Sequence, residues 1–511
     1  MKTILKSLFS LLLALIVPAV TLFADVQFID QVTKRSMEIF NVPGIAVAVI
    51  KDGNIVHMKG YGVSSLTSKK PVDENTLFAI ASNSKAFTSA ALSILVKEKK
   101  IRWDSRVIDI IPEFRLSDPY ITQALTISDL LSHRVGLGLG AGDLMIWPDG
   151  SDFSTEDVIY NLRFLKLESP FRTKYNYNNL MYIVAGEVVS RVSGKSWEEF
   201  VEERIMAPLK MGRSAASYDR LRDKSNVIDP HAPVNGEVKV VSMKLTSMAN
   251  AAGGIYSSVS DMAKWLNAQM KTREFEDTWM PYTIIPVRGP GAYKSNFSAY
   301  ALGWRVSDIE GYQVVTHTGG LSGVLTQVTM VPELNLGIIV FTNQQSSEAF
   351  SSVTSTILDS YLGVKGKDRI TENKVRLDKA LKEESRVTSE VEKVIKSAGG
   401  NLGREVLSSF CGDYKDNWLG IVKVELKGER LRFSSMRSPV LSGEMYFYKG
   451  NTFIVKWDDR SFNADAFVMF SLDNEGIPVG FTMKAVSPLT DFSYDFHDLQ
   501  FSRLLLNLGQ N

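Results

Sequence analysis

The sequence predicts an α+β fold: an antiparallel sheet flanked by helices and joined to a mostly helical lobe, followed by a small all-β, barrel-like C-terminal domain. Three observations predict it. Residues 45–50 form a continuous apolar run of strand length, closed by Asp52-Gly53 and followed by a second run to Tyr61, the pattern of a β-hairpin with a tight turn. A matching pair of runs, 325–331 and 337–342, flanks Pro332-Glu333-Leu334-Asn335 far downstream, while residues 82–310 between the two pairs read mostly as helix with loops rich in Asp, Gly and Ser. From Phe410 onward the pattern becomes the alternation of half-buried strands, with several short candidates up to residue 501.

Taken in chain order, Lys2 and Lys6 lead into an apolar stretch, 8–17, which Pro18 interrupts before Phe23-Ala24-Asp25. An uninterrupted membrane span needs about 20 apolar residues, so this reads as a secretory signal peptide. The protein is expected to be exported, periplasmic or secreted, with no stable membrane anchor after cleavage. Its one cysteine, Cys411, excludes an intramolecular disulfide, a lipid anchor at the cut and any multi-thiolate metal site. Residues 28–40 have helical apolar spacing and are stopped by Val42-Pro43-Gly44. Because the 45–50 run does not alternate, its sheet should be covered on both faces, one of them by helices from the chain ends. The charge-dense stretch 365–396 reads as a solvated helical linker. The resulting division is 1–24 signal peptide, 25–363 main domain, 364–404 linker and 405–511 β-barrel domain, in keeping with 511 residues being too long for a single ordinary core. Lys plus Arg number 58 against 57 for Asp plus Glu, a net charge of +1 that gives nucleic acid nothing to bind.

The chemistry begins at Ser82-Asn83-Ser84-Lys85, where Ser82 is the single serine of the chain with lysine three residues on. It sits where a strand-like run, 76–81, gives way to Phe87, Ala91, Ile94 and Leu95 on one helical face. At that spacing Lys85 projects beside the Ser82 hydroxyl, and the helix start offers unpaired N–H groups and a positive dipole end to an oxyanion. The alternative is an N-capping serine with a surface lysine. Tyr175-Asn176-Tyr177-Asn178-Asn179 then opens a helix running toward Gly194, and His317-Thr318-Gly319-Gly320 lies between a strand and the downstream hairpin. Singly, Tyr177 reads equally as a core aromatic and His317 as a satisfied polar group.

In this order and context, S-x-x-K, Y-x-N and H-T-G resemble the serine β-lactamase and penicillin-binding-protein superfamily, most closely its class C β-lactamase, D-aminopeptidase and esterase branch. The resemblance covers roughly residues 30–360. Supporting segments are Leu131-Ser132-His133-Arg134-Val135-Gly136, with His133 and Gly136 in a loop under the site, and Gly253-Gly254, a site wall ahead of a helix capped at Ser258. The C-terminal part, opening with Phe410-Cys411-Gly412-Asp413-Tyr414, is similar to the lipocalin-like barrel appended to some of these hydrolases.

The resemblance implies a β-lactamase-like fold and a hydrolase that cleaves an ester or amide, a D-amino-acid peptide or a small ester, through an acyl-enzyme on Ser82. Lys85 and Tyr177 would handle the proton, Asn179 would hold Lys85 and the substrate amide, and the N–H groups of Ser82 and Gly320 would form the oxyanion hole, with His317, Thr318 and Gly319 lining the substrate. Which of Lys85 and Tyr177 is deprotonated stays open. Class C β-lactamases carry lysine where His317 stands, and a neutral imidazole offers a β-lactam carboxylate no full charge. If residue 317 recognises charge, His317→Lys should favour a cephalosporin over a neutral ester; if it orients Thr318, both substrates should suffer equally. Two other functions fit the same motifs: a penicillin-binding sensor or cell-wall binding protein that acylates without turnover, and a true class C-like β-lactamase. No cofactor and no metal is implied, since the five histidines form no H-E-x-x-H. The expected partners are a small-molecule or peptide substrate and, as an open option, further copies of the chain in a homo-oligomer.

Overall fold

The computed structural model describes residues 26–287, 292–397 and 402–504. The expected signal segment, 1–24, lies outside the described residues. Among them, no helix is long and apolar enough to cross a membrane.

An eight-stranded antiparallel sheet has the spatial order Asn54–Gly62, Gly44–Lys51, Leu336–Thr342, Val324–Val331, Tyr312–Leu321, Arg305–Ile309, Ser298–Tyr300 and Thr283–Ile285. The early and late hairpins therefore meet side by side, between the second and third strands of this order, where Ile45 pairs with Thr342 and Ile50 with Gly337. Asp52 and Gly53 both take positive φ, the requirement of the tight hairpin turn predicted between the first two strands. Side chains of a strand alternate between faces. Ile45, Val47 and Val49 pack with Ile29, Phe40, Phe350 and Val353 of the helices Val26–Phe40 and Ser347–Leu362. Ala46, Ala48 and Ile50 face the opposite core, which contains Phe87, Trp265 and Leu266. Both faces are thus covered, one of them by helices from near the two ends of the main domain, as the unbroken apolar run implies. Small alanines on the inner face leave room for the helix Val259–Thr272, whose buried Trp265 stacks on Phe87 at 4.2 Å.

The helical lobe includes Ser84–Lys97 and Leu180–Ser193, the latter ending at Gly194 in the left-handed region that closes a helix without a Cβ penalty. The strand expected over 76–81 is reduced to Phe78–Ala79, paired with Tyr256–Ser257. It is cut short because Ala81 adopts φ +51° and turns the chain into the 3-10 segment Ala81–Asn83.

The C-terminal region forms a closed barrel of eight antiparallel strands, from Gly412–Asp416 to Gln500–Arg503. Its interior is filled by Tyr414, Phe433, Phe453, Phe470 and Phe481, with ring pairs such as Tyr414–Phe481 at 5.0 Å and Phe470–Phe481 at 5.1 Å. The last strand starts later than the alternation suggests, because residues 491–495 are committed to the lobe. Asn161 Nδ2 donates to the Trp418 carbonyl at 3.0 Å, and Arg437 bridges Asp152 and Asp157, so lobe and barrel share one continuous apolar core.

The charged stretch is the helix Arg369–Ser397, mostly solvent-facing along its length but anchored toward both ends. Arg369 is buried against Asp359 at 2.7 Å, and Val391 packs with Ile454 and Val486 of the barrel. Glu384 accepts from Ser487 Oγ at 2.6 Å, and Glu392 pairs with Lys456. These anchors escaped the sequence reading because a thin apolar stripe on a long helix contributes little to local composition.

Candidate active site

Three separate parts of the chain bring the predicted residues together. The strand Phe78–Ala79 delivers Ser82 in the 3-10 turn, one step before the helix Ser84–Lys97. The strained Ala81 backbone makes that turn, at a cost of roughly 1 kcal/mol for a non-glycine residue. Ser82 is not the helix cap. Its Oγ accepts from Lys85 Nζ at 3.0 Å, and the cap position belongs to Asn83 without a side-chain bond. Asn83 instead ties the turn to the sheet, donating to Thr326 Oγ1 at 2.9 Å, while Thr326 Oγ1 donates to the Ile80 carbonyl.

Lys85 is fully buried and saturated: besides Ser82 it donates to Asn179 Oδ1 at 2.8 Å and to the Ala252 carbonyl at 2.9 Å. Ala252 sits in the short helix Asn250–Gly253, so the Gly253-Gly254 segment contributes to the wall beside the lysine, and Ser258 caps the following helix through Asp261 N as expected. Burial pushes the Lys85 amine down to about 7, and the Asp143 carboxylate pulls it partly back up.

Tyr177 and Asn179 precede the helix Leu180–Ser193. Tyr177 lies close enough to Ser82 to feel its hydroxyl, and its ring lies under the lysine, with the centroid 4.9 Å from Nζ. Burial holds that phenol well above its ordinary value, opposed by the Ser82 hydroxyl. Burial therefore acts in opposite senses on the two groups, lowering the lysine and raising the tyrosine. Asn179 commits one amide hydrogen to Asp143 Oδ2 at 2.8 Å, leaving the other free of that bond. His133 Nδ1 accepts from Asn178 N at 3.1 Å, and its ring contacts those of Tyr175, Tyr177, Tyr182 and Tyr300. Gly136 takes φ +108°, so His133 and Gly136 do lie in the loop packed against the Tyr177 segment.

The third element is the strand Tyr312–Leu321. Gly319 faces the nucleophile turn: a Cβ there would stand 2.3 Å from the Ile80 carbonyl and 3.0 Å from Ala81 Cβ. Glycine is what lets the strand close on Ser82. Thr318 and Gly320 alternate onto the exposed side. His317 is buried with both nitrogens used, Nε2 against Tyr300 Oη at 2.8 Å and Nδ1 against the Thr318 carbonyl at 2.6 Å. A carbonyl only accepts, so Nδ1 carries the proton and Nε2 accepts from Tyr300. Burial, with the charges of Lys85 and Arg305, lowers this imidazole to about 3, and it is neutral.

Several residues escaped the sequence reading. Asp143 is buried between Asn179 and Ser493, and Tyr300 holds His317. Arg305 donates to Tyr175 Oη at 2.8 Å and brings a positive charge to bear on Tyr177 and His317. Phe492 of the barrel domain meets the Tyr177 ring edge-on at 5.9 Å. A glycine-flanked lone acid in an apolar stretch, Gly142-Asp143-Leu144, was the one local signal available.

A serine, a buried amine, a phenol and an asparagine converge against a strand edge. Comparison with known proteins gives the family. Residues 29–360 match the Beta-lactamase family model, and the chain belongs to that family. Residues 402–503 match a domain of unknown function, DUF3471. The chain is 30% identical over 365 residues, 67% of each chain, to a protein described as an unguisins hydrolase of Aspergillus campestris. It is 22% identical over 333 residues to Protein flp of Staphylococcus aureus, covering 63% of each chain. The octameric penicillin-binding protein homologue from Pyrococcus abyssi shares the fold, with a TM-score of 0.60 and 19% identity over 93% of this chain and 99% of that one. The protein is therefore a hydrolase of the serine β-lactamase and penicillin-binding-protein superfamily carrying a C-terminal β-barrel.

Proposed function

We propose that the protein is an exported serine hydrolase that cleaves an ester or amide, a D-amino-acid peptide or a small ester, through a Ser82 acyl-enzyme. The observation that carries this is the Lys85 amine, buried, poised near neutrality and 3.0 Å from Ser82 Oγ. A neutral amine at that distance is a competent general base. Ser82 Oγ attacks the carbonyl carbon while its proton passes to Lys85 Nζ, and the resulting oxyanion is held by the N–H groups of Ser82 and Gly320. When the intermediate collapses, the bond to the leaving group breaks and that group takes the proton from Lys85, with the Tyr177 hydroxyl positioned to relay it. Water then attacks the ester, giving its proton to Lys85, and Ser82 leaves with a proton returned. Asn179 keeps the amine aligned throughout, and Thr318 and Gly320 on the exposed side of their strand line the substrate, with Gly319 and the neutral His317 behind them.

The relatives described as unguisins hydrolases support turnover over simple trapping. The homologue described as octameric makes self-association the matching proposal for the assembled state. The test is to follow purified protein with p-nitrophenyl esters, D-aminoacyl anilides and a chromogenic cephalosporin, and to time the decay of any adduct. Repeated turnover of an ester or anilide is expected. An adduct that forms and persists would replace the hydrolase by an acylating sensor, and preferential turnover of the cephalosporin would make it a β-lactamase.

A further inference from the structure

The barrel domain reaches into the lobe exactly behind the lysine. Three residues of its segment 491–495 contact the loop 140–144. Ser493 Oγ donates to Asp143 Oδ2 at 2.9 Å. Asp495, fully buried, accepts from Gly142 N at 2.7 Å and from Leu144 N at 3.0 Å, the two amides that bracket Asp143. Phe492 packs against Gly140, where a Cβ would lie 2.7 Å from the Phe492 carbonyl, and Gly140 N in turn donates to the Tyr177 carbonyl at 2.9 Å. Asp143 is itself fully buried, and its second oxygen, Oδ1, has no hydrogen-bond partner. A continuous chain of hydrogen bonds therefore runs from Ser493 through Asp143, Asn179 and Lys85 to Ser82.

Resting on the serine-hydrolase reading above, the geometry points to the barrel domain as a working part of the acylation site: Ser493 and Asp495 hold Asp143, and Asp143 is a positioning residue that sets both the alignment of Asn179 and the charge of Lys85. A buried carboxylate that accepted only backbone bonds would be structural filler. This one instead receives the amide that grips the lysine. Burial raises Asp143 to about 7, while its bonds to Asn179 and Ser493 and the charge of Lys85 hold it down, so carboxylate and amine titrate in the same range and influence each other. The charged or titratable groups facing the pair are Asp491 and Asp495 on the barrel side and Tyr177, Tyr182, His133 and His317 on the lobe side, with Arg305 beyond the histidines. Both histidines are driven neutral by burial, which leaves Asp143 as the carboxylate that favours the ammonium form of Lys85.

The experiment uses the full-length chain and the rate of Ser82 labelling by a fluorophosphonate as a function of pH, with adduct formation read by intact mass. Asp143→Asn keeps an acceptor for both Asn179 and Ser493 but removes the charge. Without that charge the ammonium is less favoured, so the acid limb of the labelling profile should move to lower pH by about one unit. Ser493→Ala withdraws a bond that stabilises the carboxylate, so it should move the limb in the same direction and lower the plateau rate several-fold. Wild-type profiles in both folded variants, or a uniform loss of rate with the limb unmoved, overturn the inference while leaving the hydrolase reading intact. Labelling that survives Ser82→Ala overturns the hydrolase reading and the inference with it. If Ser493→Ala does not fold, Asp143→Asn alone decides, because it keeps one oxygen to accept from both Asn179 and Ser493 and places its amide nitrogen where Oδ1 has no partner.

Discussion

Replacing Lys85 by methionine separates the cost of the site from its use. The side chain is of similar length and lacks the amine, so three donations are lost: to Ser82 Oγ, to Asn179 Oδ1 and to the Ala252 carbonyl. As general base the amine is worth about 100- to 10,000-fold in rate, and acylation should fall by that factor. Stability should not fall with it. The folded state holds the amine at about 7 where an exposed lysine sits at 10.5, so folding displaces its proton. For a base lowered in this way the penalty is fully present below about pH 7 and fades as pH rises toward 10.5. At neutral pH it amounts to about 4 kcal/mol. Methionine removes that penalty but leaves two buried acceptors unpaired at about 1–3 kcal/mol each. The two effects nearly cancel, and Lys85→Met should unfold within about 2 kcal/mol of wild type at pH 7. Its stability should also lack the rise that the wild type shows between neutral and alkaline pH. Urea melts at several pH values, paired with fluorophosphonate labelling rates, provide the assay. Labelling at the wild-type rate would refute the base assignment, and a variant that is grossly destabilised with no change in pH dependence would refute the account of the buried amine.

Other outcomes follow from the same geometry. Because Tyr177 and Lys85 both border Ser82 and touch each other, Tyr177→Phe and Lys85→Met should not multiply, and the double variant should match the worse single variant within a few-fold in kcat; a clean product of losses would contradict a shared proton path. His317→Lys should lower the melting temperature and the turnover of both a neutral ester and a cephalosporin, because it strips Tyr300 and the Thr318 carbonyl of their partner and buries an ammonium; a gain confined to the cephalosporin would restore the charge-recognition role. Gly319→Ala should cost acylation about 100-fold or more, since a Cβ at 2.3 Å from the Ile80 carbonyl must push the strand off the nucleophile turn, and wild-type labelling rates would show that the close approach is dispensable.

The parts of this molecule legible in its sequence are those whose signal is local. The Asp52-Gly53 hairpin, the unbroken 45–50 run and the barrel alternation each declare their structure within a dozen residues or so. The same holds for Ser82 and Lys85, which need only the i, i+3 geometry to meet, and the ordered triplets then bring Tyr177, Asn179 and His317 to them. Asp143 and Ser493 lay beyond that reach, because they touch across 350 positions and belong to different domains. His317 was visible as a residue but not as a state: its neutrality comes from burial and from Tyr300, neither of which spacing reveals. The helix Arg369–Ser397 is helical and mostly solvent-facing as read, but its many charges concealed its anchors: Arg369 and Ile370, which fasten it to the helices on the outer face of the sheet, and Val391, which packs on the barrel. One consequence is practical. Removing the chain beyond residue 364 does not isolate the main domain cleanly, since it takes away the partners of Asp143 and the filling of Gly140.

The claim on which the account rests is that Ser82 carries the acyl group, and intact mass spectrometry after exposure to a fluorophosphonate, followed by peptide mapping, tests it most directly. The wild type should gain one adduct located on Ser82, and Ser82→Ala should gain none while keeping the wild-type melting temperature. An adduct of the same mass and rate on the folded Ser82→Ala protein, or one mapped to another residue of the wild type, would contradict it.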